Sequence, residues 1–330
     1  MEHDAYRDAG VDIDLEARAI KSLISELTFR RDDQFGMASE IGHFAGLISF
    51  GTYVLALAID GVGTKMLVAD AMQDWSTVGI DCIAMNVNDL FVMNLEPVAF
   101  VDYIATSKLS IEQMHQIGKG LNEGAQRANI SIVGGETATL KDLVTGLDLA
   151  GACLGIQEKD KVITGSALSP GDVLVGIPSS GIHSNGLTLA RQMVEQYGSY
   201  STCLRSGVTL GEELLRPTRI YADVLRICAE TQVHGMCHIT GGGLTNLNRL
   251  SAYGYVIEDP LPPQEIFHWI AHVGQISKKE MYRTFNMGMG YVILLPKEGI
   301  NTVLKYYPDA KVVGYVTKEP GIFLDGEKLF

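Results

Sequence analysis

Apolar and polar positions alternate in strand-sized and helix-sized runs, and several of the strand-sized runs end in glycine beside an acidic or hydroxyl residue. Residues 53–59 are short, apolar and partly β-branched, which predicts a buried strand that delivers Asp60-Gly61-Val62-Gly63-Thr64-Lys65. Before it, Leu15, Ala19, Ile20, Leu23, Ile24 and Leu27 recur at helical spacing behind an expected N-cap, Asp14. Residues 6–14 show no period and read as a frayed arm, and the glycine-spaced stretch 36–50 reads as a loop. After the strand, 76–94 is apolar nearly all round and predicts a buried helix, 98–105 a strand, and 110–129 a helix opened by a Ser-x-x-Gln box. A strand over 130–133 is expected to turn at Gly134-Gly135-Glu136-Thr137, and 147–156 to be a strand with an antiparallel partner.

Both periods lapse over residues 166–172, around Pro170 and Gly171, so a domain boundary is placed there, giving domains 1–165 and 166–330. The second half restarts with a strand, 172–177, that runs into Pro178-Ser179-Ser180-Gly181-Ile182-His183-Ser184-Asn185-Gly186 and a helix. A helix over 212–231 and a strand over 236–239 then precede Thr240-Gly241-Gly242-Gly243, which opens another helix. Helices over 263–272 and 278–283, the turn Thr284-Phe285-Asn286-Met287-Gly288, a strand over 291–295, a helix over 298–307 and a strand over 311–317 complete an α/β pattern in both halves.

Charge narrows the partners. With 39 acidic against 26 basic residues, a formal charge of -13, the chain lacks the basic surface that nucleic acid or an anionic membrane requires. An anionic ligand must therefore be held by local groups. Five cysteines, an odd number without a C-x-x-C pair, suggest neither a disulfide framework nor a zinc site and fit a reducing cytosol. Residues 1–14 have no apolar signal region and no run is long enough to span a bilayer, so a cytoplasmic protein is expected.

Asp60 at a strand end can hold Mg²⁺, Gly61 and Gly63 let backbone N–H groups approach an anion, and Thr64 and Lys65 add a hydroxyl and an ammonium. This is not a Walker A loop, and the same residues would also suit a plain glycine turn with a solvated Asp and Lys. Asn86 and Asp89 are three apart and share a helix face able to complete a metal shell begun by Asp60, although core hydrogen bonding would use the same groups. Glu136 supplies a second strand-end carboxylate. The hydroxyls, glycines and amide of residues 180–186 form an anion cradle at a helix N-terminus, and residues 240–243 repeat that grammar.

The motifs D-A-G-V-D-I-D, D-G-V-G-T-K, G-I-D-C-I-A-M-N-V-N-D-L, L-E-P-V-A-F-V-D-Y, G-G-E-T-A, S-S-G-I-H-S-N-G, L-x-P-T-R-I-Y, H-I-T-G-G-G and M-Y-R-T-F-N-M-G-M-G run in order from Tyr6 to Gly290. Together they resemble the phosphoribosylformylglycinamidine cyclo-ligase family, also called aminoimidazole ribonucleotide synthetases. The resemblance implies a two-domain α/β (α+β) fold. Its N-terminal ATP/Mg-binding and dimerisation domain carries a mixed sheet that forms a barrel across a homodimer, and its C-terminal α/β sandwich domain binds substrate. It implies ATP as co-substrate, Mg²⁺ with K⁺ as a further candidate cation, and closure of formylglycinamidine ribonucleotide to aminoimidazole ribonucleotide. On this sequence the implied catalytic residues are Asp60, Lys65, Asp89 and Glu136, with Asp60, Asp89 and Glu136 on the metal. ATP falls to Gly61, Gly63, Thr64, Lys65, Asn88, Gly134, Gly135 and Thr137. The ribonucleotide falls to Ser180, Gly181, His183, Ser184, Asn185, Gly186, Thr240, Gly241, Gly242, Thr284, Asn286 and Gly288. After Thr137 the chain reads Ala138-Thr139-Leu140-Lys141-Asp142, shorter than the family loop, and Leu244-Thr245-Asn246-Leu247-Asn248-Arg249 replaces the family wording there. Thiamine monophosphate kinase, selenophosphate synthetase and formylglycinamidine synthetase match the motifs less well; the first cysteine, Cys82, lies inside a predicted helix. A non-catalytic paralogue would be expected to have lost acidic positions, and all three are present.

Overall fold

The computed structural model describes residues 5–39 and 41–330, so expectations touching residues 1–4 and Glu40 fall outside the described residues. The first half contributes helices α1 (Ala5–Asp8) and α2 (Ile13–Glu26), strands β1 (Gly46–Phe50) and β2 (Tyr53–Gly61), and helices α3 (Lys65–Met72) and α4 (Val78–Phe91). Strand β3 (Glu96–Thr106), helix α5 (Ile111–Ala128), and strands β4 (Ser131–Thr139) and β5 (Leu147–Glu158) follow. The sheet order is β1-β2-β5-β3-β4, antiparallel except for the parallel β3–β4 pair. Helix α4 lies on the inner face of this sheet with α5 packed against it, which is why a helix that is apolar nearly all round is also buried nearly all round. Their approach is close enough that a Cβ on Gly79 would stand 2.2 Å from the Leu121 amide nitrogen.

The second half contributes β6 (Val173–Pro178), α6 (Leu187–Tyr197), α7 (Leu210–Leu215), α8 (Val224–Glu230), β7 (Gly235–His238), β8 (Gly254–Ile257), α9 (Glu265–Gly274) and α10 (Lys278–Thr284). It ends with β9 (Met289–Leu295), α11 (Ile300–Tyr306), β10 (Lys311–Thr317), β11 (Ile322–Leu324) and β12 (Glu327–Lys328). This sheet runs β12-β11-β8-β10-β6-β9-β7, with β8–β11 its parallel pair. Two mixed sheets, one from each half, therefore make a two-domain α/β molecule.

Several expectations change. Asp12, not Asp14, caps α2, its carboxylate accepting from the Leu15 amide at 2.9 Å. The end of the expected loop is the edge strand β1, joined to β2 through a tight turn at Gly51. The Gly134–Thr137 turn does not exist, because β4 runs straight through it in register with β3. The single helix expected over 212–231 is α7 and α8, separated by an irregular stretch at Pro217, which can neither donate nor sit inside a helix. Residues 243–249 form a 3₁₀ helix. The arm is docked as well: the Tyr6 amide donates to Glu280 Oε1 at 3.2 Å, its hydroxyl meets the Gly186 backbone, and Asp14 pairs with Arg283 at 2.8 Å. All three partners belong to the second half of the chain.

Among the described residues no helix covers the outer face of the first sheet. Leu57, Ile59, Val101, Tyr103 and Val133 lie exposed there, Ile59 at 81%.

Candidate active site

Helix α4 brings three polar side chains to the seam between the halves. Asn88 Nδ2 donates to the Arg219 carbonyl at 2.9 Å and its Oδ1 accepts from the Tyr221 amide at 3.0 Å. Asp89 Oδ1 lies 3.0 Å from Nδ1 of the buried His238, at the end of β7. Asp81, one turn into the helix, accepts from the Thr218 amide and hydroxyl at 2.8 and 2.6 Å and from the Ser184 hydroxyl at 3.1 Å. Buried polar groups require such partners. Asp60 closes the acidic side from the end of β2. Its carbonyl accepts from Asn86 Nδ2 at 3.3 Å and its carboxylate from the Gly61 amide at 2.7 Å. Burial, reinforced by the negative charge of Asp89, pushes the Asp60 carboxyl up to about 6, against the opposing pull of the Gly61 hydrogen bond, His238 and Arg249.

Facing this is the turn from Ser180 to Gly186. The Ser180 amide donates to His183 Nε2 at 3.1 Å, so Nε2 is an acceptor and the proton of the neutral ring belongs on Nδ1, which meets no partner among the described residues. Burial holds the His183 imidazole well below the ordinary histidine range, and the nearby charges of His238, Lys65 and Arg219 act in the same direction. His183 also occupies φ +66°, a left-handed conformation unusual for a non-glycine residue. Gly186, at φ +76°, starts α6 beside the Phe285 ring, which a Cβ would approach to 2.4 Å. Asn286 ties the third predicted segment to the turn. Its Nδ2 donates to the Gly181 and Ile182 carbonyls at 2.9 and 3.1 Å, and its Oδ1 accepts from Ser179 Oγ and the Gly288 amide, both at 2.9 Å. Thr284 is buried at the end of α10. Asn185 lies against the glycine run after Thr240, its Oδ1 being 3.0 Å from where a Gly241 Cβ would stand, and Gly242 turns at φ +92°. The substrate segments expected from sequence thus converge.

The residues expected on the nucleotide side are arranged differently from expectation. The Lys65 ammonium faces a carboxylate of the protein: it is fully buried, 2.7 Å from Asp81 Oδ2 and 2.7 Å from the Arg216 carbonyl. Glu136 does not join Asp60. Strand register places Asp60, Gly151, Asp102 and Gly135 in one row on the inner face, whereas Glu136 stands in the adjacent row with Gly61, Ala150 and Tyr103, on the outer face. Among the described residues no three His, Cys, Asp or Glu side chains cluster closely enough to hold a metal ion, so the Asp60, Asp89 and Glu136 set is not assembled within one chain. Gly134 and Thr137 are likewise strand residues, Gly134 on the outer face and Thr137 on the inner. Thr64 Oγ1 meets Thr188 Oγ1 at 3.0 Å across the seam, and Gly63 turns at φ +66°.

Three further seam or sheet residues were given no site role from sequence. Asp81 is legible as a polar group of a buried helix that needs partners, the one acidic group in its first turn, but not which partners; His238 could have been flagged as the polar end of a buried strand. Asp102 is legible as a carboxylate inside a strand, but not its setting: burial raises its pKa, and its side chain fills the space that Gly135 leaves open.

This two-domain arrangement defines the class. The family model for AIR synthase related protein, N-terminal domain, matches residues 42–157, and that for the C-terminal domain matches residues 169–327. A phosphoribosylformylglycinamidine cyclo-ligase of Methanococcoides burtonii is 49% identical over 327 residues, covering 97% of this chain and 96% of the relative. Among solved structures, a Thermus thermophilus protein, tt0281, aligns at a TM-score of 0.68 with 19% identity, covering 94% of this chain and 97% of that one. AaThiL complexed with AMPPCP and TMP aligns at 0.63 with 18% identity, covering 94% and 93%. The chain belongs to the phosphoribosylformylglycinamidine cyclo-ligase family.

Proposed function

We propose that this enzyme closes the imidazole ring of aminoimidazole ribonucleotide from formylglycinamidine ribonucleotide, with ATP converted to ADP and phosphate, as a ligase of purine biosynthesis. The observation that carries this reading is the 49% identity, over nearly the whole chain, to a relative of that name. The seam geometry supports it, with an acidic side facing a polar cradle. Oxide is a very poor leaving group, so the γ-phosphoryl of ATP is transferred to the formamide oxygen. The amidine nitrogen then attacks the same carbon, and the oxygen leaves with inorganic phosphate. In this reading the turn at residues 180–186, with Gly241, Gly242, Asn286 and Gly288, binds the ribonucleotide. The neutral His183 offers an Nδ1–H donor there, and Gly61, Gly63, Thr64 and Asn88 line the ATP side.

Asp60 and Asp89 would hold Mg²⁺. Burial and, after it, the negative charge of Asp89 disfavour the Asp60 carboxylate, and a divalent cation would relieve both and supply charge neutralisation for phosphoryl transfer. Glu136, on the uncovered sheet face, lies where a second copy would pack, and no residue is assigned to K⁺. Stacking that apolar face on its equivalent, as a barrel across a two-fold axis, gives a homodimer, and residues 1–165 and 166–330 are taken as the two domains. AaThiL, which carries AMPPCP, shares the fold and is consistent with ATP use. No helix among the described residues is long and apolar enough to cross a membrane.

The deciding experiment is phosphate release from ATP by purified protein with and without formylglycinamidine ribonucleotide. Release that depends on the ribonucleotide is expected, because water must be excluded from the phosphoryl group. Equal release without it would rule the reading out.

A further inference from the structure

Lys65 sits in the most chemically suggestive motif of the chain, yet its charge is neutralised inside the protein. Both members of the Lys65–Asp81 pair are 0% exposed, and Nζ also donates to the Arg216 carbonyl. The two partners of Asp81 Oδ1, Thr218 and Ser184, belong to the other half of the chain. One N-terminal carboxylate thereby holds the segment after α7 and the turn before α6. The Ser180 hydroxyl closes the loop by donating to the Pro217 carbonyl at 2.6 Å. Seven residues along the same helix, Asn88 grips Arg219 and Tyr221.

A buried ion pair is a weak source of stability, since apolar residues of similar size usually do as well. What it does supply is geometry, because each partner accepts few other arrangements. We infer that Lys65 and Asp81 form an interdomain latch that sets the position of the Ser180–Gly186 turn relative to the acidic end of β2, making Lys65 a positioning residue for the ribonucleotide. It is not a ligand of the ATP phosphates. The inference rests on the assignment of that turn to the ribonucleotide.

The test compares Lys65→Met, the double variant Lys65→Met/Asp81→Asn, and Thr218→Val. Lys65→Met leaves a buried carboxylate uncompensated. The double variant removes both charges while an amide oxygen still accepts from the Thr218 amide. KM for formylglycinamidine ribonucleotide should rise about tenfold or more in Lys65→Met, the scale of a displaced binding group, with KM for ATP little changed. The double variant should recover most of that loss, which a lost phosphate ligand would not permit. A rise in KM for ATP alone, or no recovery in the double variant, would overturn the latch. If Lys65→Met does not fold, Thr218→Val keeps the ion pair and should show the same selectivity at smaller size; unchanged KM values there would overturn it too. Amide hydrogen exchange over residues 180–186 and 216–221 gives a readout independent of activity: faster in Lys65→Met, restored in the double variant. Restored exchange without ribonucleotide-dependent phosphate release would leave the latch standing and remove the assigned substrate; unchanged exchange would remove the latch itself.

Discussion

At the scale of single residues, Asp60 carries two opposed consequences. Asp60→Asn keeps the shape and removes a negative charge from the metal side, so kcat should fall roughly a hundredfold or more, with weak rescue by excess Mg²⁺. The same substitution should stabilise the metal-free protein. Asp60 has a folded value of about 6 against an ordinary 3.8, so the unfolded chain gives up this proton more readily. Its contribution to stability is full below about pH 4 and is lost as pH rises through about 6. Urea unfolding in EDTA should therefore show Asp60→Asn gaining about 3 kcal/mol on the parent at pH 7 and little at pH 4. Equal curves at both pH values would contradict the burial argument. Across the seam, Asn185→Ala should raise KM for the ribonucleotide and spare that for ATP, a split that steady-state kinetics reads directly. Asp60 was legible because a carboxylate ends an apolar run, and the residues of the cradle because hydroxyls and glycines cluster before a helix. The burial of Lys65 was not legible, since its partners lie 16 and 151 residues away and nothing local marks them. The placement of Glu136 also escaped, because strand register, including the irregularity between Phe100 and Val101, decides which face it occupies.

At the scale of elements, the α4–α5 crossing positions everything that α4 carries. Gly79→Ala would place a methyl group 2.2 Å from the Leu121 amide nitrogen, backbone that cannot step aside, so the helices must separate. A loss of about 2–3 kcal/mol or more is expected in urea unfolding, the cost of overpacking with backbone shift. Circular dichroism midpoints within experimental error of the parent would refute it. Helices and strands with a strong period were readable along the whole chain. Two of the misread elements share a cause: β1 and β4 are set by pairing with β2 and with β3, whereas the α7–α8 break carries a local mark in Pro217 and is then held by Asp81 and Asn88 gripping residues 218–221. Local propensity holds no record of those contacts.

At the scale of the whole molecule, the uncovered sheet face predicts assembly. Contiguous exposed apolar side chains on a regular sheet mark an interaction surface. Ile59→Lys, near its middle, should shift a dimer towards monomer in sedimentation equilibrium at micromolar concentration; a monomeric, fully active parent would remove the proposal. Both sheets could be expected from the two α/β halves, but the order β1-β2-β5-β3-β4 could not, because the crossover that brings β5 between β2 and β3 leaves no local trace. The docked arm has a consequence of another kind. Tyr6 contacts Glu280, 274 positions further along, so it finds its place only after the second half of this sequence has been made. Contacts so distant in sequence close late, because their loop entropy must be overcome before they are rewarded. The strand-rich first half can then be built while the rest is still being translated, yet the 180–186 turn proposed to hold the ribonucleotide lacks its Tyr6 contact until the segment carrying Glu280 has been made.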